Sequence, residues 1–246
     1  MRFFRMRSPR YSSDSQDYFI NGNLEHLYRL PGVSCEVCNT SHGGSRILPI
    51  PAPEQIRQDS RFRSRWPIPQ TEHAAMQMEV AGYLNQHCES FVTFRPGDTF
   101  QPAFLDVPSK PTMDFLWSNP RSFVISERIK KAVFDDLSNE VEMVQVQPRK
   151  IGKPSDAINH NSIEPYFQVL ITSESDYPKG GEPISFCPVC KQESFDDSKR
   201  ELAMREDMWG GQQIFFLKTT LYMIVTETLV EKIRQMDATN IDFVAI

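Results

Sequence analysis

Nothing in the 246 residues approaches the ~18 consecutive apolar positions that a membrane-crossing helix requires. The longest apolar runs, such as Ile214–Leu217 and Leu221–Val225, are a fraction of that length, so integral membrane function is excluded. No export signal is expected either, because Met1-Arg2-Phe3-Phe4-Arg5-Met6-Arg7-Ser8-Pro9 carries charge where such a signal needs its apolar stretch. The expected location is the cytoplasm. Cysteine is scarce and odd in number (Cys35, Cys38, Cys88, Cys187, Cys190), which argues against a disulfide framework and leaves metal binding, redox chemistry or free thiols. Catalytic signatures are missing too: there is no phosphate-cradling loop, dinucleotide fingerprint, helical H-E-x-x-H or nucleophile elbow. Ser41-His42-Gly43-Gly44-Ser45 reads as a flexible turn, and His26, His73 and His160 are scattered without regular partners. The expectation is a protein that is not an enzyme.

What is present is an ordinary soluble composition, 39% hydrophobic and 24% charged, with an uneven charge. Residues 1–70 hold 10 Lys/Arg and 6 Asp/Glu, whereas residues 71–246 hold 17 and 26. The acidic bulk disfavours broad phosphate-backbone binding and suits a basic protein partner. Arg57, Arg61, Arg63 and Arg65 beside Trp66 could contact nucleic acid, but a solvated loop is the simpler reading.

Proline divides the chain. Leu48-Pro49-Ile50-Pro51-Ala52-Pro53 reads as a stiff polyproline spacer, and Pro96 to Pro120 is too proline-dense for a long helix or a central strand. Between them, Thr71 can cap a helix reaching Cys88, with Ala74, Met78, Ala81 and Leu84 as its apolar face. An internal similarity at an offset of 100 residues relates Ser122–Val146 to Tyr222–Ile246, both reading strand, helix, strand. In the first, Phe123-Val124-Ile125 leads to a Ser126 cap, a helix face of Ile129, Val133 and Leu137, and a strand from Val141. In the second, Met223-Ile224-Val225 leads to Thr226, then Leu229, Ile233 and Met236, and a strand over Ile241–Val244. The expected fold is α+β, a mixed sheet with these strand-helix-strand units. Residues 1–70 form an N-terminal segment and 71–246 the body, integrated as one domain.

The strongest chemical signal is the pair of C-x-x-C sequences, Cys35-Glu36-Val37-Cys38 and Cys187-Pro188-Val189-Cys190. A two-residue gap lets both thiolates of a turn reach one tetrahedral zinc at about 2.3 Å, and two such knuckles complete a closed structural shell. His42 or Cys88 could stand in as a ligand. Cys-Pro-x-Cys also suggests a thiol oxidoreductase, yet Lys191–Asp197 offers no apolar helix face to follow it.

With these residues in view, the chain resembles the double-CxxCG immunity-protein family of the myxobacterial swarming-inhibition toxins. The resemblance rests on Met1–Arg5, the knuckle Leu30–Cys38, Pro53-Glu54-Gln55, Arg95–Pro102, the second knuckle and the final strand-helix-strand unit. Asn39 and Lys191 stand where the family has glycine after each pair. The resemblance implies a protein that neutralises a cognate toxin, with a nuclease as the expected toxin class. From another class, the rival is a zinc-ribbon nucleic-acid-binding adaptor using the arginine cluster.

Overall fold

The computed structural model describes residues 1–9, 22–44, 46–84, 94–107, 113–150, 164–178, 180–196, 204–220 and 222–246. These are mixed α+β, mostly strand with few helices, arranged in several sheets. In chain order the strands are β1 (Phe3–Arg7), β2 (Asn23–Arg29), β3 (Val33–Ser34), β4 (Ser41–His42), β5 (Ile47–Pro51), β6 (Ile68–Pro69), β7 (Thr99–Val107), β8 (Phe115–Asn119) and β9 (Ser122–Ser126). They continue as β10 (Val141–Gln145), β11 (Gln147–Lys150), β12 (Tyr166–Ile171), β13 (Ser185–Phe186), β14 (Glu193–Ser194), β15 (Ile214–Phe216), β16 (Met223–Thr226) and β17 (Asp242–Ala245). The α-helices are α1 (Glu54–Gln58), α2 (Gln70–Leu84), α3 (Glu127–Ile129) and α4 (Glu227–Gln235). None of the described helices is long and apolar enough to cross a membrane.

The chain forms two compact units, each discontinuous in sequence. The larger comprises residues 1–25, 104–182 and 196–246; the other, the cysteine unit, comprises 26–103 and 183–195. This division does not fall at residue 70.

The larger unit holds two antiparallel four-stranded sheets, ordered β15-β16-β1-β17 and β8-β9-β12-β10. Each has a hairpin strand, then a strand that leads into a helical segment, then an inserted strand, then the strand that follows the helical segment. The apolar run Met223-Ile224-Val225 is continuous because both its faces are buried. Met223 and Val225 join one cluster with Phe115, Trp117, Phe123 and Ile125, while Ile224 joins another with Phe3, Phe215 and Leu217.

Ile129, Val133, Leu229 and Ile233 are all at most 1% exposed, on helical segments. The first segment differs from a regular α-helix. After α3 it widens into a π turn over Lys130–Phe134, where the Asp135 amide reaches back five residues to the Lys130 carbonyl, and closes with a 3₁₀ turn, Asp135–Leu137. The extra residue turns both Val133 and Phe134 inward, which no four-residue spacing anticipates. Ser126 caps its helix by accepting from the Ile129 amide, whereas Thr226 makes no such bond. Asp114 ties the two halves of this unit together: it accepts from Ser126 Oγ, Arg128 and both the amide and hydroxyl of Thr239.

In the cysteine unit, α2 starts at Gln70, and its buried face is His73, Met76, Val80 and Leu84. Met78, expected inside, is 71% exposed. The error is one of phase, since the same spacing fits two neighbouring stripes and only the packing against Leu30, Ile56, Phe62 and Phe100 selects between them. The proline-rich segment at 48–53 is not a spacer. Ile47–Pro51 is a strand whose prolines point outward, pairing in parallel with β7 across an irregular register. Nor do the prolines after Pro96 prevent a long strand, for β7 carries Pro102 within its nine residues.

Candidate metal centre

Each C-x-x-C forms the tip of a short hairpin. Around the first, β3 pairs with β4 (Ser34 opposite Ser41), and around the second, β13 pairs with β14 (Phe186 opposite Glu193). The Cys35 amide donates to the Thr40 carbonyl at 2.9 Å, and the Cys187 amide donates to the Gln192 carbonyl at the same distance. Closing so tight a turn requires a left-handed residue directly after the second cysteine. Asn39 (φ 53°) and Lys191 (φ 61°) occupy those positions. Glycine suits such a position because it has no Cβ to clash.

The two tips bring Cys35, Cys38, Cys187 and Cys190 together, all four being free thiols with sulfurs within 4.8 Å of one another. Cys35 Sγ lies 3.8 Å from Cys187 Sγ, and Cys38 Sγ lies 3.7 Å from Cys190 Sγ. Disulfide sulfurs would sit about 2.05 Å apart. Sulfurs about 2.3 Å from a central tetrahedral ion lie about 3.8 Å from each other, so these separations suit a four-thiolate metal shell. Cys35 and Cys187 are buried, while Cys38 and Cys190 are half-buried.

Hydrogen bonds to sulfur shape the site. Thr40, through its hydroxyl at 2.9 Å and then its amide, holds the pKa of the Cys38 thiol down to about 6. Backbone amides of Cys190 and Val189 lower that of Cys187, whereas desolvation pushes that of Cys190 up to about 12. Crowded thiols repel as thiolates, and a divalent cation removes that repulsion.

All four cysteines expected as ligands are therefore neighbours. His42 is not in the cluster, and Cys88 lies outside the described residues. Thr40 is a further participant that the cysteine spacing does not single out. Its signal in the sequence is positional, for Thr40 and Gln192 each follow their knuckle's second cysteine by two residues. Cys187-Pro188-Val189-Cys190 is followed by strand β14, not by the helix that activates a redox cysteine. In the arginine cluster, Arg61 is paired with Asp59 and Glu79, and Arg63 donates to the Arg57 carbonyl, while Trp66 is 81% exposed. No family model, curated protein or solved structure matches the chain.

Proposed function

We propose that this protein is an immunity protein that binds and neutralises a cognate toxin in the cytoplasm, acting by occupancy and not by turnover, with one structural zinc on Cys35, Cys38, Cys187 and Cys190. The observation that carries the reading is the pairing of the two knuckles. The double motif on which the family resemblance rests forms one closed cluster, and Asn39 and Lys191 adopt the backbone conformation that favours the family's glycine. A closed four-sulfur shell has no open position for substrate, so its chemistry favours a structural role. The zinc would fasten residues 183–195 to the fold built by 26–103. We read the two strand-helix-strand segments of the larger unit as a pseudo-symmetric pair, on the strength of their shared strand order.

The test is co-expression with the toxin encoded beside it. Protection should be stoichiometric, and purified protein should silence the toxin's activity at one-to-one ratio. Protection at substoichiometric amounts would point to an enzyme. Absence of toxin binding, together with salt-sensitive nucleic-acid binding that is lost on changing Arg57 and Arg65, would favour the zinc-ribbon adaptor.

A further inference from the structure

The four cysteines differ in their access to solvent. The first of each knuckle lies inside, Cys35 at 3% exposed and Cys187 at 8%, while the second of each, Cys38 and Cys190, is half-buried. The flanks of the second cysteines face water: Val37, Asn39 and Thr40 around Cys38, and Val189 and Lys191 around Cys190, are all exposed. Both knuckles belong to the cysteine unit, and their tips meet second cysteine to second cysteine, with Cys38 Sγ 3.7 Å from Cys190 Sγ. The two sulfurs that solvent reaches are therefore partners across the knuckles. A link within a knuckle, Cys35 to Cys38 or Cys187 to Cys190, would instead join a reachable sulfur to a buried one.

Oxidation of a cysteine follows the access of its sulfur, and a second thiolate within reach turns the first oxidation product into a disulfide before it can be oxidised further. A disulfide needs its sulfurs about 2.05 Å apart, so the Cys38 and Cys190 sulfurs have about 1.7 Å (3.7 − 2.05) to close. Whichever of the two an oxidant strikes first, the other is the accessible sulfur beside it.

We infer that Cys38 and Cys190 form a peroxide-sensitive pair, whose oxidation replaces metal binding with a disulfide across the knuckles. The Cys38 thiolate attacks one oxygen of hydrogen peroxide, displaces hydroxide and becomes a sulfenic acid. The Cys190 thiolate then attacks that sulfur; the S–S bond forms and a second hydroxide leaves, and two protons from solvent turn both hydroxides into water. Each sulfur gives up one electron and the peroxide takes two. Starting at Cys190 gives the same product. Cys35 and Cys187 are then the two thiolates left where a closed tetrahedral shell needs four, so metal affinity falls with the same step. Because the link joins residue 38 to residue 190, it keeps residues 183–195 fastened to the fold of 26–103 without metal, which a link within either knuckle would not do. The pair depends on the cysteine cluster alone and stands or falls apart from toxin binding.

The test is a disulfide map after hydrogen peroxide, made on the wild-type protein and on Cys88→Ser, in which the fifth cysteine cannot exchange. Zinc-loaded protein is treated, its remaining thiols are alkylated, and unreduced peptides are identified by mass spectrometry while a chromogenic chelator counts released zinc. The first product should be Cys38 linked to Cys190, with one zinc released for each link, and dithiothreitol with Zn²⁺ should reverse both. The oxidised protein should melt above reduced, metal-free protein, because the link closes a long loop of the unfolded chain. Cys35→Ser should still form the link, whereas Cys190→Ser should carry Cys38 on to the sulfinic acid, which dithiothreitol does not reverse. A map dominated by links within the knuckles overturns the proposal, as do thiols that stay reduced at a peroxide dose that oxidises glutathione in parallel. The same map on metal-free protein tests the pairing even if no zinc binds, so failure of the metal site and failure of the pair are read separately.

Discussion

Lys191 holds a left-handed backbone with a full side chain, a conformation that costs an ordinary L-residue about 1 kcal/mol relative to glycine. Lys191→Gly should therefore raise the urea midpoint modestly, by up to about 1 kcal/mol in stability, and Lys191→Val should lower it. The gain is limited because the Lys191 ammonium also donates to the Pro188 carbonyl at 2.8 Å. Asn39→Gly should gain less, since asparagine tolerates this conformation better. At the four-cysteine cluster, the proposed zinc site, Cys187→Ser should abolish zinc binding there and lower the melting temperature well beyond the effect of Cys88→Ser, because losing a ligand removes metal-coupled folding energy. Elemental analysis and thermal melts read both effects, and equal shifts for the two variants would contradict the assignment.

Among the elements, Gly97 and Asp114 set two local geometries. Gly97 has φ +84° and lies against the Gly43–Gly44 backbone, so that a Cβ there would fall 2.8 Å from Gly44 N. Gly97→Ala should destabilise by roughly 2–3 kcal/mol, read as a drop in denaturation midpoint, because neither backbone can yield. Asp114 is 7% exposed. Burial pushes its carboxyl up, but hydrogen bonds from Arg128, the Thr239 amide and Ser126 outweigh that and hold it below the usual carboxylate range. A depressed folded pKa contributes stability that is present above the unfolded value of about 3.9 and is lost as pH falls through the folded value. Asp114→Asn should thus cost about 2 kcal/mol at neutral pH. Its deficit relative to wild type should shrink below about pH 4, measured by denaturation across pH; a deficit constant down to about pH 2 would show that the carboxylate charge is not the cause.

For the molecule as a whole, charge is divided between the units. The cysteine unit has eight Lys/Arg and eight Asp/Glu, which leaves the excess of acid on the larger unit. If the partner is a basic toxin, association should slow as salt is added, and reversing surface acids of the larger unit should slow it more than changing Arg57 or Arg65. Stopped-flow or surface-binding rates at two ionic strengths would test this. The opposite ranking would favour the nucleic-acid reading.

The cysteine spacing, the caps and the apolar periodicity are local properties, and so the four cysteines as candidate ligands and the inward positions Ile129, Val133, Leu229 and Ile233 were legible from the sequence alone. The phase of α2, the π turn after α3 and the pairing of β5 with β7 were not. Each depends on which neighbour packs against a segment, and several backbones satisfy the same pattern until that neighbour is in place. The meeting of Cys35 and Cys38 with Cys187 and Cys190 is the sharpest instance. Each two-residue gap fixes how one pair can hold a metal, but whether two pairs separated by 148 intervening residues share that metal is a matter of long-range contact, which only the tertiary structure decides.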